Sequence, residues 1–352
     1  PFRGGRRISE LIGASYLQWI RCTFDGGGGQ TDLVAYFFRR AFSYISTGGT
    51  LGLLATNTIS QGDTRLAGLA RICFHGGTIF SATRRLPWPG LAVVIASAVH
   101  LHKGPIHSAL LDGKPVRRLS AFLVPGAIDP NPWRLAVNRG GALNGSFVYG
   151  MGFIFDDGSE EANPLRIMRE LIAKDERNQQ RIFPYLGGRE LNASPTHSPS
   201  RFVINFGEMD EREAMNWPDL YGLIEHRVKP MRLSQKREIR ARYWWRFGEP
   251  TPALYAAVSG LRRVVCCSQT SKHRTFTFVP NGMVFDQKLM VFPYESMAAF
   301  AALHSEVHVL WALFFGSTMK DDPVYTGSDC FDTFPFPENW QTAPTLEAAG
   351  QT

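Results

Sequence analysis

Nowhere in this chain do two cysteines form a C-x-x-C pair. Its five cysteines, Cys22, Cys73, Cys266, Cys267 and Cys330, are scattered and odd in number, which excludes a disulfide framework. A reducing cytoplasm is the expected compartment. Long hydrophobic runs are missing too: the longest, residues 91–101, falls well short of the roughly 20 apolar residues a membrane helix needs, so no membrane partner is expected. Metal-ligand spacing is also lacking. His304 and His308 stand at i, i+4, but no acid occupies the H-E-x-x-H position and no third ligand is evident, so no metal is expected. His100 and His102 alternate onto one strand face and read as hydrogen-bonded surface histidines. The run Gly26 to Gly29 follows no strand and lacks the Lys-Ser/Thr of a phosphate loop, so it reads as a flexible link. No internal repeat or low-complexity tract interrupts the chain.

What is present is a folded chain of 352 residues, 44% apolar and 20% charged, long enough for two cores or for one core with an appendage. Its formal net charge of +7 favours a polyanionic partner without demanding one. The basic residues cluster. In "RVKPMRLSQKREIRARYWWR", Arg227, Lys229, Arg232, Lys236, Arg237, Arg240, Arg242 and Arg246 face a single acid, Glu238, with Tyr243, Trp244 and Trp245 inside the same stretch. Such a run is either a solvated helix face ending in a core aromatic cluster or a surface that tracks phosphates and releases counterions.

The pattern predicts a helix over residues 31–44, with Leu33, Phe37, Ala41 and Tyr44 on one face and Thr31 or Asp32 as its cap. "LGLLATNTI" follows as a short continuous apolar run, expected to be a buried central parallel strand. A further helix is expected over residues 66–73. Two strands then flank a turn at Pro89 and Gly90, and such close strands are most easily antiparallel. Beyond Gly104, prolines and glycines recur and long helical periodicity is scarce until Met297, where "MAAFAALHSEVHVLWALFFG" suits one mostly buried helix.

"PFRGG", "TDLVAYFFRRAF", "GGTLGLLATNTISQGDTR" and "IFSATRRLPWPGLAVVIASAVHLHKG", in that order, together resemble the catalytic domain of site-specific DNA adenine-N6 methyltransferases. More narrowly they are similar to the MmeI-like group associated with restriction–modification and phage defence. "ANPLRIMRELI", "RIFPYLGGRELNASPTHSPSRFVINFG", "EHRVKP", "YWWRFG" and "YTGSDCFDTFPFP" look like the target-recognition region and carboxy-terminal segment of that group. Family members carry an Asn-Pro-Pro-Tyr or Asn-Pro-Pro-Phe motif, so the resemblance implies that this chain opens inside it.

The resemblance gives Pro1 a backbone-carbonyl role toward the adenine amine and Phe2 the stacking role on the flipped base. It puts Phe80 or Trp88 at the target-base pocket, and Asp32, Leu33 and Tyr36 near the adenine of the cofactor, S-adenosylmethionine. Arg84 and Arg85 would hold phosphates beside the flipped nucleotide. Arg201, Lys229, Arg240, Arg242, Arg246, Lys272 and Arg274 are nominated for DNA on charge and local context.

The expected fold class is α/β. The carboxy-terminal part of a Rossmann-like class I methyltransferase domain, a mixed sheet with an antiparallel terminal hairpin, spans residues 1–114. An α+β target-recognition domain spans 115–293, and a helical segment and tail span 294–352. Double-stranded DNA is the expected partner. The glycine-rich cofactor motif is not found in this chain, so methylation is expected to need an upstream fragment or a catalytic or nuclease subunit. The alternative from a different class is a DNA-binding specificity module without catalysis of its own; an RNA methyltransferase would keep the same amine chemistry.

Overall fold

The computed structural model describes residues 4–88, 94–126, 129–235, 237–319 and 322–352. Contacts divide the chain into two units, Pro1–Trp133 with Leu313–Val324, and Arg134–Ala312 with Tyr325–Thr352. The expected divisions at residues 115 and 294 fall elsewhere: the first unit runs on to Trp133, and residues 294–312 share the second unit's core.

The first unit starts with two short helices, α1 (Gly5–Ile12) and α2 (Ala14–Thr23), separated by Gly13 at φ +111°. Helix α3 (Leu33–Tyr44) forms where the sequence predicts it, but its core face is Val34, Phe38 and Phe42 at i, i+4, i+8, beside Ala35 and Tyr36. Phe37 and Tyr44, expected with Leu33 on one packed face, are exposed. Asp32 stands at the cap position without a capping hydrogen bond from its side chain.

Strand β1 (Thr50–Thr56) corrects the expectation of a central parallel strand. Among the described residues it pairs only with β3 (Ile95–Lys103), antiparallel, at the sheet edge, and of its residues only Ala55 is buried. A continuous apolar run is expected where both faces are covered, but in β1 the faces are only partly covered, and such a run cannot report whether both edges are paired. The chain then passes through helical turns at Asn57–Ser60, α4 (Gly62–Arg65), Leu66–Ala70 and α5 (Arg71–Phe74).

Strand β2 (Gly77–Pro87) completes the expected antiparallel hairpin with β3, although the turn at Pro89 and Gly90 lies outside the described residues. The sheet order is β1-β3-β2-β4-β5, with β4 (Ala109–Leu111) parallel to β2 and β5 (Lys114–Val116) antiparallel to β4. β1 and β2 therefore run the same way with β3 reversed between them. Val34, Phe38 and Phe42 pack on Ile79, Val99 and Leu101 of this sheet.

The second unit holds two four-stranded sheets. One contains β6 (Leu143–Asn144), β10 (Arg263–Ser268), β11 (Thr277–Pro280) and β13 (Leu289–Phe292); the other contains β7 (Ile154–Phe155), β8 (Ile182–Leu186), β9 (Arg201–Ile204) and β12 (Val284–Phe285). Long helical periodicity is expected to be scarce here, and the helices of this region are short: α6 (Leu165–Lys174), α7 (Gly188–Ala193), α8 (Glu211–Ala214), α9 (Pro218–Arg227), α10 (Lys229–Leu233), α11 (Glu238–Arg242) and α12 (Pro252–Ala257). Most are a turn or two long, too short to show periodicity.

The late apolar stretch is two helices, α13 (Met297–His304) and α14 (Glu306–Phe315), bent by 52°. Ser305 breaks the run by adopting an extended backbone while its Oγ accepts the His308 N–H. No single described helix is long and apolar enough to cross a membrane.

Candidate functional site

Parallel strands β1 and β2 end on the same side of the sheet, at Thr56 and Pro87, paired across β3 with Ala96 and Ile95. Open α/β sheets bind ligands outside the carboxyl ends of such strands. The segment after β1 clasps the glycine run: Asp63 Oδ2 accepts the Gln30 N–H at 3.0 Å, and Thr64 Oγ1 accepts the Asp32 N–H at 3.0 Å. Residues 26–29 are therefore a packed loop, and the reading as a flexible link is corrected. Arg39 and Arg71 both pair with Asp25 at the head of the loop, at 2.6 and 3.1 Å. The Arg39 hydrogen bond, outweighing burial, holds the Asp25 carboxyl below its ordinary value.

The three residues nominated for the cofactor adenine lie together at the start of α3. Leu33 and Tyr36 line an apolar cavity of about 240 Å³ with Tyr16, Trp19, Ile20, Phe24 and Phe37. Tyr36 is buried, its ring centroid 5.5 Å from that of Phe24, and burial raises its hydroxyl pKa. This lining suits a flat aromatic ring. Its other lining residues are Thr23 and Arg40, with no carboxylate to take an ammonium group, so these residues fit the adenine part of S-adenosylmethionine alone.

Strand β2 carries the base-pocket candidates on two irregularities. Its pairing with β3 slips between Ile79 and Ser81 and again between Thr83 and Leu86, leaving Phe80, Arg84 and Arg85 outside the ladder. Bulges re-aim side chains and are frequent beside active sites. Phe80 packs against His100, whose Nδ1, like that of His102, has no hydrogen-bond partner among the described residues. The two histidines are half-buried, contrary to the hydrogen-bonded surface reading. Trp88 is exposed where the strand ends, its N–H donating to the Val94 carbonyl at 2.9 Å. Arg84 donates from Nε and Nη2 to Asp112 Oδ2 at 3.0 and 2.9 Å, and Arg85 adopts φ +53°. Pro1 and Phe2 lie outside the described residues.

In the second unit the nominated cations separate into two groups. Arg201 is anchored by two 2.7 Å contacts on the buried carboxylate of Glu190. Arg274 is buried, donating to the Gln269 carbonyl at 3.3 Å, with its guanidinium 5.4 Å from the Tyr325 ring centre. Arg240 is only 8% exposed, 3.8 Å over Tyr149 and 3.2 Å from Glu249. Arg246 donates to the Met209 carbonyl, and Lys229 pairs with Glu225 at 2.7 Å. Arg242 and Lys272 are exposed.

The reading of the basic run as a solvated face ending in core aromatics holds for exposed Arg227, Arg237 and Arg242 but not for Arg232, which is fully buried and donates to the Val148 carbonyl at 2.9 Å. Burial lowers its pKa to about 10. Trp244 and Trp245 are core residues, and Lys236 lies outside the described residues.

Of the histidine pair on α13 and α14, His304 is exposed and His308 is a core residue. His308 bonds the Leu303 carbonyl through Nδ1 at 2.7 Å and Tyr325 through Nε2 at 3.1 Å. The same burial pushes the Cys267 and Cys330 thiols up, to about 12 and about 11, leaving poor nucleophiles.

Residues 162–338 match the family described as "MmeI, target recognition domain". The chain belongs to that family. Much of the match falls on the second unit, including β8, β9, the basic run and α13. Among solved structures, the type IIL restriction-modification enzyme MmeI, solved in complex with DNA, is similar over 94% of this chain with TM-score 0.76 at 17% identity. That likeness shows the fold. The chain spans 45% of that enzyme's length. The type IIG restriction endonuclease BpuSI, 12% identical over 99% of this chain and 47% of its own, reaches a TM-score of 0.29, too low to bear on the fold. No curated protein matches in sequence.

Neither the two bulges of β2 nor the clasp on residues 26–30 was foreseen. The adjacent glycines and the Asp63-Thr64 pair were their only trace in the sequence.

Proposed function

We propose that this chain is the base-handling and DNA-recognition portion of a site-specific DNA adenine-N6 methyltransferase. It would serve a restriction–modification or phage-defence system in the cytoplasm, acting on double-stranded DNA with S-adenosylmethionine as methyl donor. The observation that carries the reading is the family match over residues 162–338. The reversed strand β3 between parallel β1 and β2, with Trp88 following β2 and the glycine loop held by Asp63 and Thr64 of the segment after β1, supports it.

An adenine amine is a poor nucleophile because its lone pair is delocalised into the ring, and inside a duplex it is out of reach. In this reading the base is flipped out and stacked on Phe2, with Phe80 or Trp88 as the apolar wall. The backbone carbonyl of Pro1 accepts a hydrogen bond from the amine and draws its nitrogen toward sp³. Leu33 and Tyr36 hold the adenine face of the cofactor, whose sulfonium supplies an electrophilic methyl group when bound. Arg242 and Lys272 contact phosphates, as does Arg85 beside the flipped nucleotide.

The test is methyl transfer to duplex DNA by the full gene product, with N6-methyladenine mapped by sequence. Site-specific methylation is expected, and Phe2→Ala should lower it roughly 5- to 150-fold, the equivalent of about 1–3 kcal/mol of base stacking. Specific DNA binding with no methylation would instead make the chain a recognition module.

A further inference from the structure

Arg232 and Arg240, both buried in the second unit, take no part in the proposed reaction, yet both converge on Tyr149. Tyr149 adopts φ +56°, a backbone region that glycine enters freely and a bulky aromatic residue seldom does. Such strain persists only where the surroundings over-determine it, and it concentrates at functional sites. Here the backbone is held first. Phe147 and Glu249 exchange main-chain hydrogen bonds at 3.0 and 3.1 Å, and Arg232 Nη2 donates to the Val148 carbonyl at 2.9 Å. A Cβ on Gly248 would lie 2.8 Å from the Cβ of Tyr149, the root of that side chain. The ring is held next: the Arg240 guanidinium lies 3.8 Å over it and is tied to Glu249 at 3.2 Å.

Despite that hold, Tyr149 is 45% exposed, and no described residue bonds its hydroxyl. Met231 stands beside it, 39% exposed, with its methyl carbon 3.3 Å from where a Cβ of Gly150 would be. The guanidiniums of Arg232 and Arg240 are turned inward, so what this spot offers a partner is a fixed flat ring and a thioether. Cations flank it. Arg242, at the end of α11, is exposed, as is Arg237 before it, which shares Glu249 at 3.5 Å; the helix itself carries one exposed carboxylate, Glu238.

We propose that Tyr149 stacks on a base of the bound duplex, with Arg232, Arg240 and Gly248 as its positioning residues. The inference rests on the reading that this chain binds double-stranded DNA. Every base offers a flat face to an aromatic ring, and apolar side chains such as that of Met231 enter between base steps. Such a contact carries no charge. It therefore adds affinity without adding to the salt dependence, unlike a cation that neutralises a phosphate.

The test measures Kd of the full gene product for a mixed-sequence duplex between about 50 and 200 mM salt, with a thermal melt of each variant. Tyr149→Gly removes the ring and the strain together. Its Kd should rise roughly 5- to 150-fold at every salt concentration, with the log–log slope unchanged and the melt close to that of wild type. Tyr149→Phe keeps the ring and should bind within about twofold of wild type. Gly248→Ala, whose methyl group displaces the root of Tyr149, should weaken binding in the same salt-independent way and add nothing further in the Tyr149→Gly background. A Tyr149→Phe loss equal to that of Tyr149→Gly, a slope lowered by about 1 in Tyr149→Gly, or losses that only track the folded fraction overturn the proposal. Wild-type binding that Tyr149→Gly leaves intact overturns the stacking alone, whereas a wild-type protein that binds no duplex overturns the DNA reading and the stacking with it.

Discussion

Residues 26–30 of the first unit and residues 227–246 of the second are both convergence points, one built from backbone stripped of side chains and the other from the longest side chains available. At the glycine loop, Asp63 reaches in to the Gln30 N–H through space that a Cβ on Gly28 would fill, and Arg21 donates to the Gly29 carbonyl. In the basic run the reach is reversed: Arg232 and Arg246 extend from the helical segment to the carbonyls of Val148 and Met209. The loop should therefore be sensitive to added atoms, and the arginine cluster to removed ones. Only side chains outside both networks are left for a polyanion.

The sharpest way to break this contrast is at the arginine anchored on Glu190. Arg201→Ala should destabilise the second unit by up to roughly 3–5 kcal/mol, because it removes two 2.7 Å bonds from buried Glu190 and leaves it Arg189 at 3.4 Å and the Gly187 N–H at 3.0 Å. Chemical denaturation measures it, and a loss below about 1 kcal/mol would mean that removal is tolerated there after all. Next comes acid. Burial lowers the His308 pKa from 6.5 to about 4, so the folded state resists a proton that the unfolded chain accepts. Its stabilisation is complete above pH 6.5 and fades as pH falls toward 4, about 3 kcal/mol in all. His308→Gln should flatten that part of the stability–pH curve.

Adding atoms to the loop comes third. Gly28→Ala should cost about 1–3 kcal/mol by overpacking against Asp63, with Gly29→Ala clearly smaller in the same thermal melts. The smallest effect on stability is expected at exposed Arg242. Arg242→Ala should change folding by no more than about 0.5 kcal/mol while lowering the log–log salt slope of DNA binding by about 1. Arg240→Ala should do the opposite, with a stability loss and little change in slope.

Much of the first unit was legible because its signals are local. Helix α3 announces itself by spacing, and the β2–β3 hairpin by two strand patterns around a proline–glycine turn. Edge pairing was not legible, since the apolar run of β1 looks the same whether one neighbour or two lie beside it. The split at Ser305 was hidden because the apolar spacing continues through a residue whose hydroxyl caps the next helix. The bulges that take Phe80, Arg84 and Arg85 out of the ladder depend on the register with β3, which nothing in β2 specifies alone.

By itself the sequence determined the elements with strong periodicity, the scattered cysteines, the basic balance and the family likeness, all of which depend on composition or on neighbours a few residues apart. The tertiary structure alone decided which charges stay exposed and which glycines cannot change. Those outcomes depend on groups such as Asp63 and Gly28, or Arg232 and Val148, that are 35 and 84 residues apart and meet only once the chain has folded.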